Sequence, residues 1–218
     1  MFRPTITKEE VNQLPIVEFS GKIILVDTPE KEEKAIKELY KATIVGIDTE
    51  TRPSFKRGVL HKVSLMQFAD NQTCYLFRLN TIGFSEKLIA FLSDKEIIKI
   101  GLSLRDDFNG LARQKKFKPE GFVDIQNIAK EYGILELSLQ KIFAILFGLK
   151  ISKSQRLTNW ENPTLTEQQQ RYAATDAWAT LQIYLRLTTE KKLTIKEQLE
   201  LKAGLNTEQK PLSQQQNK

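Results

Sequence analysis

The sequence predicts a mixed α/β sheet with helices packed on its faces. Three observations lead there. Short apolar, β-branched runs alternate with segments of helical periodicity between residues 23 and 100. Two of those runs, Val63–Phe68 and Cys74–Phe77, are separated by Ala69-Asp70-Asn71-Gln72, which reads as a hairpin turn and excludes a purely parallel sheet. Beyond residue 101 the pattern turns mostly helical.

Residues 1–20 read as an N-terminal arm, irregular over the first 15. A domain over 21–192 follows, opening with Ile23-Ile24-Leu25-Val26 as a short buried strand. From Pro29 to Lys41, Ala35, Ile36, Leu39 and Tyr40 fall at helical spacing, and Thr28 before Pro29 suits a cap with proline in the first turn. Thr43–Asp48 is β-branched and apolar, a central strand, and the polar, basic stretch 51–58 is a loop. Val63–Phe68 alternates with period two. A helix near 84–93 leads into a strand at Ile97–Ile100, and one more short strand falls near Phe122-Val123. A long helix starts near Thr166, because Thr166-x-x-Gln169 reads as a capping box. Residues 193–218 form a polar C-terminal tail whose last dozen or so positions are expected to fray.

Composition excludes several classes. The chain has 218 residues, 33 Lys plus Arg against 27 Asp plus Glu, and a net charge of +6. A chain of this size buries about 70% of its unfolded surface and needs no staples. A lone cysteine, Cys74, rules out an internal disulfide framework, and a lone histidine, His61, rules out a multi-histidine metal site. No apolar stretch reaches the roughly 18 residues of a membrane span, and the N-terminus lacks the apolar core of a signal peptide. These features lead us to expect a reducing, cytoplasmic setting. The basic excess fits a polyanionic partner and equally a surface rich in lysine.

Three acidic sites carry the chemistry. Asp48 and Glu50 end the central strand, and residues i and i+2 of a strand point to one face. Leu104, Phe108 and Leu111 define an apolar helical stripe; at about 100° per residue Asp107 falls roughly 60° from Leu104 and 40° from Leu111, whereas Asp106 faces away. Tyr172 and Asp176 stack at i and i+4 on the long helix. Each site alone has a bland reading as a strand end, a helix-dipole acid or a core tyrosine. Were the four acids to converge, two unit charges about 5 Å apart would cost roughly 3 kcal/mol at an effective dielectric of 20. Such a cluster needs cations or raised carboxyl pKa values. Oxygen ligands without His or Cys favour hard ions, Mg²⁺ or Mn²⁺.

These motifs resemble the Tyr-type DEDD (DEDDy) 3′–5′ exonucleases. Asp48-Thr49-Glu50 is similar to the first exonuclease motif, Gly101–Asp107 to the second and Tyr172-x-x-x-Asp176 to the third. The His-type group carries histidine where this chain has Arg171. Supporting text includes Arg57-Gly58, Lys62-Val63, Cys74–Phe77, Ser138-Leu139, Asn159-Trp160 and Leu165–Glu167, over about residues 20–190. The match is nearest to Werner-like exonuclease domains, with RNase D next. The resemblance implies a ribonuclease H-like fold, two divalent ions, and release of nucleoside 5′-monophosphates from a 3′ end. It implies that Asp48 bridges both ions, Glu50 and Asp176 complete the first site, Asp107 supports the second, and Tyr172 orients the attacking water. The Werner-like pattern implies a DNA substrate; the alternatives are RNase D-like RNA processing or a non-catalytic nucleic-acid-binding module. A helicase, if one works with this chain, is expected as a separate chain. The oligomeric state stays open.

For substrate contact the candidates are Arg52, Lys56, Arg57 and Lys62 after the first motif, and Lys150, Lys153 and Arg156 before the third. Phe55 and Trp160 are candidates for stacking on terminal bases, with core packing the competing role for Trp160. His61 reads as a surface loop residue and Cys74 as an inert core thiol.

Overall fold

The computed structural model describes residues 2–56 and 58–208, with side chains as far as residue 201. A short helix α1 (Lys8–Gln13) precedes β1 (Lys22–Val26) and α2 (Pro29–Leu39). The strands β2 (Ile44–Thr51), β3 (Val63–Ala69) and β4 (Thr73–Arg78) follow, then α3 (Leu79–Ile82), α4 (Glu86–Leu92) and β5 (Ile98–Gly101). Next come α5 (Leu104–Ala112), β6 (Phe122–Asp124), α6 (Ile125–Ile128) and α7 (Leu139–Phe147). The long α8 (Glu167–Thr188) and α9 (Ile195–Glu208) complete the described chain.

The strands form one six-stranded sheet in the order β1-β4-β3-β2-β5-β6. β3 runs antiparallel to both β2 and β4; the other pairings are parallel. The β3–β4 hairpin closes because the Asp70 carboxylate accepts from the backbone N–H groups of Gln72 and Thr73, each at 2.7 Å. The sheet is therefore mixed, as the hairpin signal predicts.

Side-chain alternation divides the sheet into two faces. Val45, Ile47, Met66, Phe68 and Phe77 pack with Ala35, Ile36 and Leu39 of α2 and with Leu88 and Phe91 of α4. Phe68 sits edge-on to Phe77 and Phe91, with ring centroids 5.6 and 5.1 Å apart, an arrangement that adds about 0.5–1.5 kcal/mol per pair beyond area burial. The other face carries Leu65, Ala69, Cys74 and Leu76 and lies under α8, whose Ala173, Ala174 and Ala177 are fully buried against it. A third cluster joins Ile100 to α7 and to Ala179, Ile183 and Leu187 of α8.

α8 begins with the expected box: Thr166 accepts from the Gln169 N–H, and Gln169 returns a bond from the Thr166 N–H. Its small residues let it approach the sheet at backbone distance. At Gly46 of β2, a Cβ would collide with the Ala177 carbonyl oxygen, and Thr180 Oγ1 donates to the Ile100 carbonyl at 2.8 Å.

Two expectations are corrected. The first 15 residues are not an irregular arm throughout. Thr7 and Glu10 form a capping box that starts α1, and Ile6 and Val11 are buried against Ala144 of α7. Val11 is the single buried residue of that helix, so hydrophobic periodicity carries no signal there. Likewise, much of the expected polar tail is α9, which starts where Thr194 and Glu197 exchange bonds. Leu193 docks its N–H on the Glu131 carbonyl at 2.7 Å. Residues 209–218, and with them most of the expected fraying, lie outside the described residues. Among the described residues no helix is long and apolar enough to cross a membrane.

Candidate active site

Alternation along β2 sends Val45 and Ile47 into the α2 face, and so sends Asp48 and Glu50 toward α8. The close seating of α8 on Gly46 brings Asp176 over the same end of the strand. One carboxylate oxygen from each of Asp48, Glu50 and Asp176 lies within 4.8 Å of the others. Residues 128 positions apart along the chain thus share one basin, since 176 minus 48 is 128.

Glu50 and Asp176 are each only 9% exposed and Asp48 is half-buried. Burial pushes the Asp48 carboxyl well above the ordinary carboxylate range, and the Asp176 and Asp107 charges push it further. Glu50 is raised by burial, then by Asp48, Asp176 and Asp107, with Arg156 opposing. Asp176 is raised by burial to about 7, while the Tyr172 hydroxyl and Lys153 pull it back. The Thr49 backbone N–H and one side chain on the facing strand relieve Asp48 directly. Gln67, opposite it in the β2–β3 register, donates from Nε2 to Asp48 Oδ2 at 3.2 Å. The Gln67 Oε1 is buried without a partner among the described residues.

Asp107 is half-buried on α5 whereas Asp106 is exposed, as the helical-face argument requires. Asp107 stands outside the tight group of three. Its carboxylate accepts from Thr49 Oγ1 of β2, and burial raises it to about 7 against that bond, with Asp106 and Asp124 adding repulsion. Its influence on Asp48 and Glu50 is through space. Asp124, at the end of β6, fixes α5 by accepting from the N–H groups of Ser103 and Leu104 at 3.3 and 3.0 Å. Ser103 itself is left-handed, φ 60°.

A cleft of about 260 Å³ opens over the acids, lined by Asp48, Tyr172, Asp176, Lys153, Arg156 and the start of α7. Tyr172 is raised well above an ordinary phenol by burial and by Asp176, Glu50 and Asp48. Behind it lies Trp160, 0% exposed and 6.0 Å from the Tyr172 ring. That burial corrects the expectation that Trp160 stacks on a base: it backs Tyr172 from the core. Lys153 and Arg156, both before the third motif, reach the acids' field. Arg52 is exposed and paired with Glu161 at 3.1 Å, and Lys56 and Phe55 are exposed on the same loop. Arg57 lies outside the described residues. His61 is half-buried, 3.6 Å from Glu161, and Cys74 is a buried free thiol. Sequence reasoning passed over Gln67, Thr49 and Asp124. The available signal was polarity inside a strand buried at every position, in the case of Gln67.

Three converging carboxylates, an all-oxygen donor set and an orphaned amide oxygen beside them fit a hard divalent cation. Burial raises all three carboxyl groups, and mutual repulsion adds to this at Asp48 and Glu50.

The fold and this basin define a class, and the comparisons identify it. The sequence profile described as 3′–5′ exonuclease matches residues 23–192. The chain belongs to that 3′–5′ exonuclease family. It is 34% identical over 186 residues to the bifunctional 3′-5′ exonuclease/ATP-dependent helicase WRN of Mus musculus, covering 81% of this chain and 13% of that protein. It is 28% identical to a 3′-5′ exonuclease of Arabidopsis thaliana, covering 78% of this chain and 65% of the relative. Among solved structures, the Trypanosoma brucei RNase D complex with RNA U12 superposes with a TM-score of 0.70 at 25% identity, covering 79% of this chain and 64% of that one. Escherichia coli RNase D, an exoribonuclease, gives a TM-score of 0.70 at 23% identity over 77% of this chain and 44% of that one. The chain thus spans less than two thirds of these four proteins' own lengths.

Proposed function

We propose that this chain is a metal-dependent 3′–5′ exonuclease of the DEDDy type, shortening a nucleic-acid strand from its 3′ end and releasing nucleoside 5′-monophosphates. One observation carries the reading: Asp48, Glu50 and Asp176 converge within 4.8 Å in a cleft walled by Tyr172. Asp48, Glu50 and Asp176 would hold one Mg²⁺ or Mn²⁺, and Asp48 with Asp107 would serve a second. Bound there, the ions would supply activation of water and charge stabilisation of the leaving oxygen in phosphodiester displacement.

The protein's own groups do the rest. Tyr172, with a raised pKa, stays protonated at neutral pH. It therefore orients a water by hydrogen bonding and does not abstract the proton. Gln67 fixes one Asp48 oxygen at the edge of the cleft. Lys153 and Arg156 place positive charge on the cleft wall, where a phosphate would sit. Arg52 and Lys56 remain proposed strand contacts; Arg52 would exchange Glu161 for phosphate.

DNA is the polymer we propose first, since identity to WRN, 34%, exceeds that to the RNase D structures, 25% and 23%. The RNase D reading is the second, favoured by the RNA-bound relative. The buried free thiol of Cys74 suits a reducing compartment such as the cytoplasm. The test is a matched panel of 5′-labelled DNA and RNA oligonucleotides, incubated with Mg²⁺, Mn²⁺ or EDTA. A ladder shortening from the unlabelled end, abolished by EDTA and by Asp48→Ala, is expected. Persistent cleavage in Asp48→Ala would overturn the assignment.

A further inference from the structure

A second groove, about 500 Å³, runs on from the acid cleft between α1, the start of α7 and residues 150–154. It shares Ser138, Gln140, Ile151, Ser152 and Lys153 with the acid cleft, so the two form one continuous channel. Its charge is opposite. Lys8, Lys141, Lys150 and Lys153 line it, and no acidic side chain does among the described residues. Lys141 is paired with Glu136 at 3.0 Å. Lys8, Lys150 and Lys153 form no ion pair among the described residues, and Lys150 Nζ donates to the Asn12 carbonyl of α1. Ile16, 60% exposed, adds an apolar patch at the rim.

The other clefts do not share this character. The cleft on the far side of Tyr172 carries Glu18 and Glu167. The largest, near His61, carries Glu161 and shares no wall residue with the acid cleft.

We infer that this lysine-lined groove, with Lys8 of α1 and Lys150 among its lining residues, is the binding track for the phosphodiester backbone of the nucleotides preceding the 3′ end. The inference rests on the exonuclease reading of the acid cleft. A strand whose terminal phosphate lies among the acids is repelled there until cations are present. The adjoining phosphates need a separate anchor, and this is the cation-lined surface contiguous with the cleft. The capped and buried attachment of α1 then has a use: it holds Lys8 across the groove from Lys153.

The experiment compares a 12-nucleotide single strand with a dinucleoside monophosphate, whose only phosphate is the scissile one. Lys8→Glu is the first variant; Lys8 is exposed at the first position of α1, where an acidic residue favours the helix, so the fold is retained. The second variant adds Lys150→Gln. Weaker phosphate binding is expected to raise KM on the 12-mer about fivefold for the single variant and more than about tenfold for the double, with kcat unchanged. The slope of log affinity against log salt should fall by about 0.7 for each phosphate no longer neutralised. Turnover of the dinucleoside monophosphate should not change. An unaltered KM and salt slope on the 12-mer, or equal losses on both substrates, overturns the track while leaving the exonuclease reading standing. If the wild-type protein consumes neither substrate, the exonuclease reading fails and the track with it.

Discussion

Two adjacent strands bury charge in opposite ways. β5 buries Lys99 completely, yet its ammonium donates to the carbonyls of Phe91 and Asp94 and lies over the rings of Phe91 and Phe122, 5.5 and 5.1 Å from their centroids. β2 buries Glu50 and half-buries Asp48 beside Asp176, and a single Gln67 amide is the donor they receive from the facing strand. The cation is satisfied by the fold itself. The acids are answered only in part, by Lys153 and Arg156 from the cleft wall, and their carboxyl groups stay raised. A buried charge answered from within is architecture, and one answered only in part beside an open cleft points to chemistry.

The sharpest way to break the contrast is to remove an acid. Asp48→Ala should lower nucleotide release at least about a thousandfold, because metal-held charge stabilisation is worth several kcal/mol. Unfolding of the ion-free variant should be no easier than that of the wild type, since one of three repelling groups is gone. Calorimetry and a labelled-oligonucleotide assay on the same preparation decide this. Tyr172→Phe comes next: loss of one orienting hydroxyl should reduce turnover about ten- to a hundredfold with KM little changed.

Smaller in size is the pH dependence of the ion-free fold. Asp176 and Asp107 titrate near 7 when folded against 3.8 as the ordinary value. Between those pH values the folded state holds more protons than the unfolded one, so stability is full below about pH 4 on this account and falls as pH rises toward 7. Melting in EDTA should therefore drop by several degrees from pH 5 to pH 7.5, and Mg²⁺ or Mn²⁺ should restore most of it at pH 7.5. A flat profile in EDTA would mean that burial does not hold these two carboxyl groups above the ordinary range.

Lys99 reverses the sign. Burial lowers it to about 8 from 10.5, so the unfolded state binds more protons in that window and stability rises as pH climbs through it. Lys99→Met should abolish that rise, while changing stability at pH 7 by no more than about 1 kcal/mol. Parallel melts at pH 8 and 9.5 give the comparison.

Much of this was legible in the sequence because the signals were local. The apolar run before Asp48 and the polar turn at Asp70 each predicted their element, and a helical-wheel angle separated Asp107 from Asp106. Convergence of the acids was not local: it depends on α8 seating on β2, which no single segment encodes. α1 and α9 were missed because their apolar content is thin, although each begins with a threonine and a glutamate three residues on, Thr7 with Glu10 and Thr194 with Glu197. Trp160 is a case of two readings: near a nucleic-acid motif the sequence offers both base stacking and core packing, and burial against Tyr172 decides for the core.

Gly46 has a consequence for which metals can serve. Because no side chain stands between the strand and the Ala177 carbonyl, main-chain radii set how far Asp176 sits from Asp48. Ligand shells differ by only tenths of an ångström, about 2.0–2.1 Å for magnesium against 2.3–2.6 Å for calcium. A single methyl group at Gly46 would therefore push α8 off β2, and Gly46→Ala should widen the Asp48–Asp176 gap and shift the ion preference of the activity toward the larger cation.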